Sequence, residues 1–298
     1  MSTGYETFDV QRPGGTLRVG RWGRGPTHLL AAHGVTANHV SFQALADQLP
    51  DDVALVGPDL RGRGGSNGIT GPWGMSEHAD DLIAVLDHLG IDSATVVGHS
   101  MGGFVAVVAA ARHPERVDAV LLVDGGLPLD LGPLAQLPIA ELLAAIIGPS
   151  LQRLRMTFGS EEEYLDFWRA HPALRDHWNH YLEAYLRYDL VGRAPELRSG
   201  VREEAVLADS ESDLREGVVE AAVLALRQPA VLLRAPRGLT DADPLYSEQT
   251  IGRWQREVPA LDVRTVPDVN HFTIAVSEEG ARAIARAWRD LRGAPRTA

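Results

Sequence analysis

Between Thr27 and Gly126, short apolar runs rich in β-branched residues alternate with segments of helical periodicity. No other feature constrains the fold as strongly. "THLLAAHG" reads as a buried strand and "SFQALADQLP" as a helix stopped by proline. "VALVGPDLRGRGGS" is a strand running into a glycine-rich loop, and "SEHADDLIAVLDHLG" is a helix with a capping serine at Ser76 and a terminal Gly90. "ATVVG" and "VDAVLLVDGG" flank a third helix, Met101–His113. Strand–helix repetition of this kind requires crossover connections, hence a parallel sheet covered on both faces. Ahead of it, "ETFDV" and "TLRVGRW" form a hairpin across "RPGG".

The rhythm stops at Gly126. From 127 to 227 the chain reads as helices with no convincing strand, and strand signals return with "PAVLLRAP" and "LDVRTVPDVNHF" before a closing helix "SEEGARAIARAWRDLRG". The expected organisation is therefore a core of residues 1–126 and 228–298, carrying a helical cap inserted at 127–227.

One hydroxyl stands out. "ATVVGHSMGGFVAVV" places Ser100 between Gly98 and Gly102 at the junction of a strand and a helix, completing G-x-S-x-G. On so tight a turn the side chain is forced outward, and the new helix aims its N-terminal amides at the serine oxygen. An N-cap serine among packing glycines is the plainer account of the same residues. His271, in "TVPDVNHFTIAV", follows the last strand, and an imidazole is the side chain able to take a hydroxyl proton and return it to a leaving group. Other histidines sit less favourably: His28, His78, His88 and His113 lie at strand starts or on helix faces and read as solvated.

In these residues the chain resembles the α/β-hydrolase family, from "HLLAAHG" through "GHSMGG" to "VPDVNH". The resemblance implies a mostly parallel eight-stranded sheet with a cap after the sixth strand. It also implies a nucleophile, an acid and a histidine acting together, with Ser100 and His271 in two of those roles. For the acid, Asp124 ends the strand "AVLLVDGG", where some members carry it, and Asp241 and Asp243 follow the next strand, where more do. "PRG" is extra in that second loop, so Asp124 and the Asp241/Asp243 pair both stand, with Asp241 ahead of Asp243. The resemblance further implies an oxyanion hole from the amides of Val35, after His33-Gly34, and of Met101. In the cap, Trp168, Trp178, Tyr181 and Tyr185 are candidate walls of a substrate cavity, together with His33 and Gly34. Trp178, Tyr181 and Tyr185 are spaced to share one helix face, a stripe equally suited to packing the cap onto the sheet.

Composition narrows the chemistry. All 28 basic residues are arginine and cysteine is absent, which excludes lysine Schiff bases, cysteine nucleophiles and disulfides. A formal charge of −12 speaks against nucleic-acid binding. "DLRGRGGS" lacks the Lys-Ser/Thr ending of a P-loop and reads as a structural turn braced by Asp59. No carboxylate and histidine cluster has metal-ligand spacing, so neither metal nor cofactor is expected. No apolar run reaches membrane-spanning length and no secretory signal is visible in "MSTGYETFDVQRPGG"; the expectation is a cytoplasmic protein. Exposed cap helices often serve as dimer contacts, so a homodimer is compatible with the sequence.

The expected activity is hydrolysis of a carboxylic ester or lactone of a small, largely apolar molecule through an acyl-enzyme on Ser100. Thioester or carbon–carbon bond hydrolysis by the same residues, and a hydrolase-like small-molecule receptor with little turnover, remain the alternatives.

Overall fold

The computed structural model describes residues 4–293. Strands β1 (Glu6–Arg12), β2 (Gly15–Trp22), β3 (Thr27–Ala32), β4 (Val53–Pro58), β5 (Ala94–His99) and β6 (Val117–Val123) come first. A two-residue pair follows, β7 (Leu190–Val191) with β8 (Arg198–Ser199), and then β9 (Ala230–Arg234) and β10 (Leu261–Thr265). Eight of them make one sheet in the order β1-β2-β4-β3-β5-β6-β9-β10. Its first three strands pair antiparallel and the rest parallel.

Period-two alternation decides what covers this sheet. Leu30, Ala32, Val96, Leu122 and Leu232 enter one buried cluster, while Leu29, Ala31, Val97, Leu121 and Leu233 enter another. Both faces are apolar, so both must be covered. Helices α2 (Met75–Leu89) and α3 (Met101–Arg112) lie over the first face. On the second lie the short α1 (Gln43–Ala46) and, from the end of the chain, Ile284, Ala285 and Trp288 of a long amphipathic helix.

The chain enters the sheet centre at β3, steps outward to β4, then returns to the other side of β3 as β5. At such a reversal the loops leaving neighbouring strands diverge and open a crevice beyond their carboxyl ends. The loops after β3 and β5, carrying Val35 and Ser100, leave the sheet there.

Helices α4 (Ile139–Gln152), α5 (Glu161–Arg169), α6 (His180–Asp189), α7 (Glu203–Arg215) and α8 (Val218–Ala225) fill the segment between β6 and β9. Val219, Ala222 and Val223 of α8 join the same buried cluster as α3. The β7–β8 ladder, invisible to a strand reading, is too short for alternation to register. Helices α9 (Glu248–Glu257), α10 (Thr273–Val276) and α11 (Glu278–Gly293) complete the core.

Two local expectations are corrected. Helix α2 starts at Met75, so Ser76 lies inside its first turn. The cap comes from α7 instead, where Asp209 Oδ1 accepts from Gly74 N at 2.6 Å and Ser212 Oγ from Met75 N at 3.3 Å. His78, read as solvated, is fully buried with Nε2 2.9 Å from Asp209, because α7 covers that face of α2.

Candidate active site

Ser100 occupies the corner between β5 and α3 with φ 55° and ψ −123°, a strained conformation for a residue with a side chain. The corner closes because glycines let backbones touch. A Cβ on Gly98 would stand 2.1 Å from Gly102 O, and one on Gly102 1.9 Å from Ala32 O. Ser100 N donates to Val123 O at 3.0 Å, tying the corner to the end of β6.

The next residue of that strand end is Asp124, fully buried and at φ 43°. Its N–H donates to Leu233 O at 2.8 Å, and its Oδ1 accepts from Ala235 N at 3.0 Å, so β9 holds the carboxylate in place. Oδ2 is left for His271, whose Nδ1 lies 2.7 Å away. The other ring nitrogen, Nε2, is 3.1 Å from Ser100 Oγ. A carboxylate only accepts, which puts the ring proton on Nδ1 and turns the Nε2 lone pair to the serine hydroxyl. The histidine loop is itself fastened: His271 N donates to Arg237 O at 2.9 Å, and His99 Nε2–H donates to His271 O at 2.7 Å. His99 is buried, and desolvation followed by the nearness of His271 pulls it down to about 3, keeping it neutral.

Asp241 does not reach the imidazole. Its Oδ2 accepts from Arg237 Nη1 at 3.1 Å and its Oδ1 from Asn270 Nδ2 at 2.9 Å, while Asp243 is exposed. Arg237, part of the extra "PRG", pairs with Asp241 and draws that turn away from His271. Asp241 thus braces Asn270, whose Oδ1 also accepts from the N–H groups of Phe272 and Thr273 at 3.0 Å each. The sequence reading overlooked Asn270, although its place beside His271 was the available signal.

Val35 and Met101 line one cavity with Ser100 and His271. The Val35 N–H has no acceptor among the described residues. Met101 is the first residue of α3, where an N–H has no intrahelical partner. On the carbonyl side, Arg63 Nε donates to Val35 O at 3.0 Å. Arg63 also forms a buried ion pair with Asp209 of α7, which fixes the loop from behind. Burial alone would raise Asp209, but His78 and Arg63 overcome it and hold that carboxyl at about 2.

His33 proves to be support rather than a wall. It is fully buried, accepts from Leu60 N at Nε2 (2.9 Å) and donates from Nδ1 to Gly34 O (2.8 Å); desolvation pulls it down to about 3. Gly34 does line a cavity and lies close to Ser100, with a built Cβ 3.3 Å from Ser100 Cβ. Of the cap aromatics only Tyr185 reaches the site. Trp168 is buried with the Arg153 guanidinium 5.0 Å above its ring, and Tyr181 donates to Asp47 at 3.0 Å. Trp178 precedes Asn179, the N-cap of α6, and so does not share a helix face with Tyr181 and Tyr185. Trp168 and Trp178 belong to one apolar cluster and Tyr181 to another, and none of them lines either cavity.

Two cavities meet at the Ser100–His271 pair, with Val35, Ile147 and Leu239 common to both. One runs towards Leu129, Leu143, Ser210, Asp213 and Leu245, the other towards Thr36, Ser150, Tyr185 and Phe272. Pro149 interrupts α4, and Ile147 departs from helical geometry (φ −119°, ψ 20°) where it enters the junction. The aliphatic walls went unread because Leu143, Ile146 and Ile147 look like any buried helix stripe.

Among the described residues no cluster of histidine and carboxylate groups is suited to a metal ion, and no helix is long and apolar enough to cross a membrane.

The chain is 26% identical over 267 residues to the 2-(acetamidomethylene)succinate hydrolase of Mesorhizobium japonicum, covering 89% of this chain and 88% of that protein. Lipase LipV of Mycobacterium tuberculosis is 40% identical over 115 residues, 38% of this chain; the match spans under half of that relative, 43% of its length. The crystal structure of E-2-(acetamidomethylene)succinate hydrolase aligns with a TM-score of 0.79 at 23% identity, over 97% of this chain and all of that one, a likeness of fold. Residues 27–277 match the family described as alpha/beta hydrolase fold, and with the strand order and the corner at Ser100 on hand, the chain belongs to that family.

Proposed function

We propose that the protein hydrolyses a carboxylic ester or lactone of a small, largely apolar molecule. One observation carries this reading: Ser100, His271 and Asp124 are joined by contacts of 3.1 and 2.7 Å at the point where two mostly apolar cavities meet. Such a site accommodates one portion of a substrate on each side of a scissile bond.

Ser100 Oγ attacks the carbonyl carbon as its proton passes to His271 Nε2. The carbonyl oxygen becomes an oxyanion facing the Val35 and Met101 amides, each worth about 10²–10³-fold in rate by analogy with other hydrolases. Collapse breaks the ester C–O bond, and the alcohol leaves with the proton from His271. Water then attacks the acyl-enzyme with His271 as base, releasing the acid and restoring the hydroxyl. Asp124 holds the ring and stabilises the imidazolium without taking its proton.

An ester or lactone is favoured over the substrate class named for the Mesorhizobium relative. A succinate carries two carboxylates, and no arginine is among the described residues lining either cavity. The nearby Arg63 and Arg153 are already paired with Asp209 and Asp189.

The test is a hydrolysis panel of p-nitrophenyl esters, lactones, thioesters and β-diketones, run beside fluorophosphonate labelling of wild type and Ser100→Ala. Labelling of wild type alone, with ester or lactone turnover fastest, supports the reading. Labelling with faster β-diketone or thioester cleavage replaces the bond type. Stoichiometric release without turnover turns the site into a receptor.

A further inference from the structure

The first cavity is aliphatic along nearly its whole wall, with one exception. Asp213 of α7 lines the same cavity as Ser100 and His271, together with Leu129, Leu143, Leu214 and Leu245, with Ser210 one turn earlier on the same helix. Asp213 Oδ1 is buried and has no hydrogen-bond partner among the described residues. The charged and titratable groups around it are Asp209 on its own helix, Arg63 from the loop after β4, and Tyr246 from the segment after β9. Arg63 is committed to Asp209 and Val35, and the Tyr246 hydroxyl donates to Leu127 O at 2.9 Å. No neighbouring group completes Asp213.

A buried polar atom without a partner is destabilising, so in a substrate pocket its natural partner is the occupant. Burial, reinforced by the Asp209 carboxylate, raises the Asp213 carboxyl well above its ordinary range and favours the protonated form, against a smaller opposing pull from Arg63. A neutral carboxyl both donates and accepts a hydrogen bond. It suits an uncharged oxygen function, whereas a carboxylate would lose its hydration among the aliphatic walls and stand near the Asp209 charge.

We infer that Asp213 is a specificity-determining residue that selects substrates whose otherwise apolar acyl chain carries an uncharged hydroxyl. This rests on the ester or lactone reading above and names the substrate class within it: hydroxyacyl esters, in preference to plain acyl or dicarboxylic ones. Discrimination of this kind is strong because an analogue lacking the hydroxyl leaves the buried carboxyl unpaired.

The experiment compares kcat/KM for p-nitrophenyl esters of unbranched acyl chains of graded length, each with a terminal methyl, hydroxyl or carboxylate. Wild type, Asp213→Asn and Asp213→Leu are assayed, with thermal melts to check folding. In wild type the best hydroxy ester exceeds its unsubstituted counterpart, and the carboxylate ester is poorest. In Asp213→Leu the ratio of hydroxy to plain ester falls at least about tenfold. Asp213→Asn, still a donor and acceptor, keeps most of the preference. An unchanged ratio in Asp213→Leu, or a parallel loss on every ester in both variants, overturns the inference. Should wild type cleave no ester, the parent reading falls alone. Calorimetric binding of the corresponding hydroxy and plain methyl esters to Ser100→Ala and Ser100→Ala/Asp213→Leu then decides Asp213 separately: a hydroxyl preference abolished by the leucine supports it, and equal affinities sink it.

Discussion

Asp124 and His271, 147 residues apart, meet through a 2.7 Å hydrogen bond because the end of β6 and the loop after β10 converge beside the serine corner. The Asp124 backbone N–H and its Oδ1 are both held by β9, so the second carboxylate oxygen has one direction left to face.

Replacing Asp124 by asparagine should lower kcat by about 10⁴, since the amide favours the wrong imidazole tautomer. Asp241→Asn should cost far less in rate and register mainly in the melting temperature, because Asp241 reaches His271 through Asn270 and Arg237 and not directly. Steady-state kinetics on a p-nitrophenyl ester decides between them. A large kcat loss in Asp241→Asn with Asp124→Asn unaffected would reverse the assignment of the acid.

Ser100→Ala and His271→Ala should each remove several orders of magnitude from kcat, and the double variant little more, because nucleophile and base act as one unit. Losses that multiply in the double variant would show that the 3.1 Å contact is not used in proton transfer.

The buried pair of Arg63 and Asp209 connects the cap helix α7 to the Val35 loop. Asp209→Asn strands a buried guanidinium and should destabilise the fold by about 3–5 kcal/mol in denaturant unfolding. Arg63→Lys loses the fork that serves Val35 O and Asp209 together. It should lower kcat more than it raises KM; a pure KM effect would detach Arg63 from the oxyanion loop.

Gly102→Ala should fail to yield soluble protein, because its new methyl would lie 1.9 Å from the backbone oxygen of Ala32 and neither element has room to retreat. Gly34→Ala should fold, its methyl meeting Ser100 Cβ at 3.3 Å, but lose activity by crowding the nucleophile. Soluble yield and fluorophosphonate labelling rates check the pair.

Acid should weaken the protein before its carboxylates titrate. His33 and His99 are held at about 3 chiefly by desolvation, against about 6.5 in the unfolded chain, so below neutrality the unfolded state binds more protons. Their contribution is present above pH 6.5 and is lost as the pH falls towards 3, at up to about 1.4 kcal/mol per unit for each ring. Asp213 has the opposite sign: its raised value stabilises in acid and is lost as pH rises, so Asp213→Asn should steepen the acid loss. Unfolding free energies that stay flat from pH 6.5 to about 4.5 would mean that the buried imidazoles carry charge.

How much of this was legible in the sequence depended on how local each signal was. Ser100 was readable because its constraint lies within five residues, where glycines and a strand–helix junction coincide. The sheet was readable because alternation in β3, β5, β6 and β9 repeats the same pattern. Asp124 and Asp241 could not be separated, since the choice turns on how β9 and Arg237 orient two loops, which no short window encodes. Asp213 and His78 were missed for one shared reason. Within "ADSESDLRE" and "MSEHADD" the polar residues look solvated, and only the docking of α7 buries His78 and encloses Asp213 Oδ1 at the cavity wall.

With Asp124 at the end of β6 as the proposed acid, the turn that bears Leu239 has no proton to manage. Leu239 borders both arms of the crevice all the same, so exchanging its side chain should redraw the outline of admissible molecules and leave the reaction itself alone. A fold that separates fit from chemistry in this way is open to retooling at a single position.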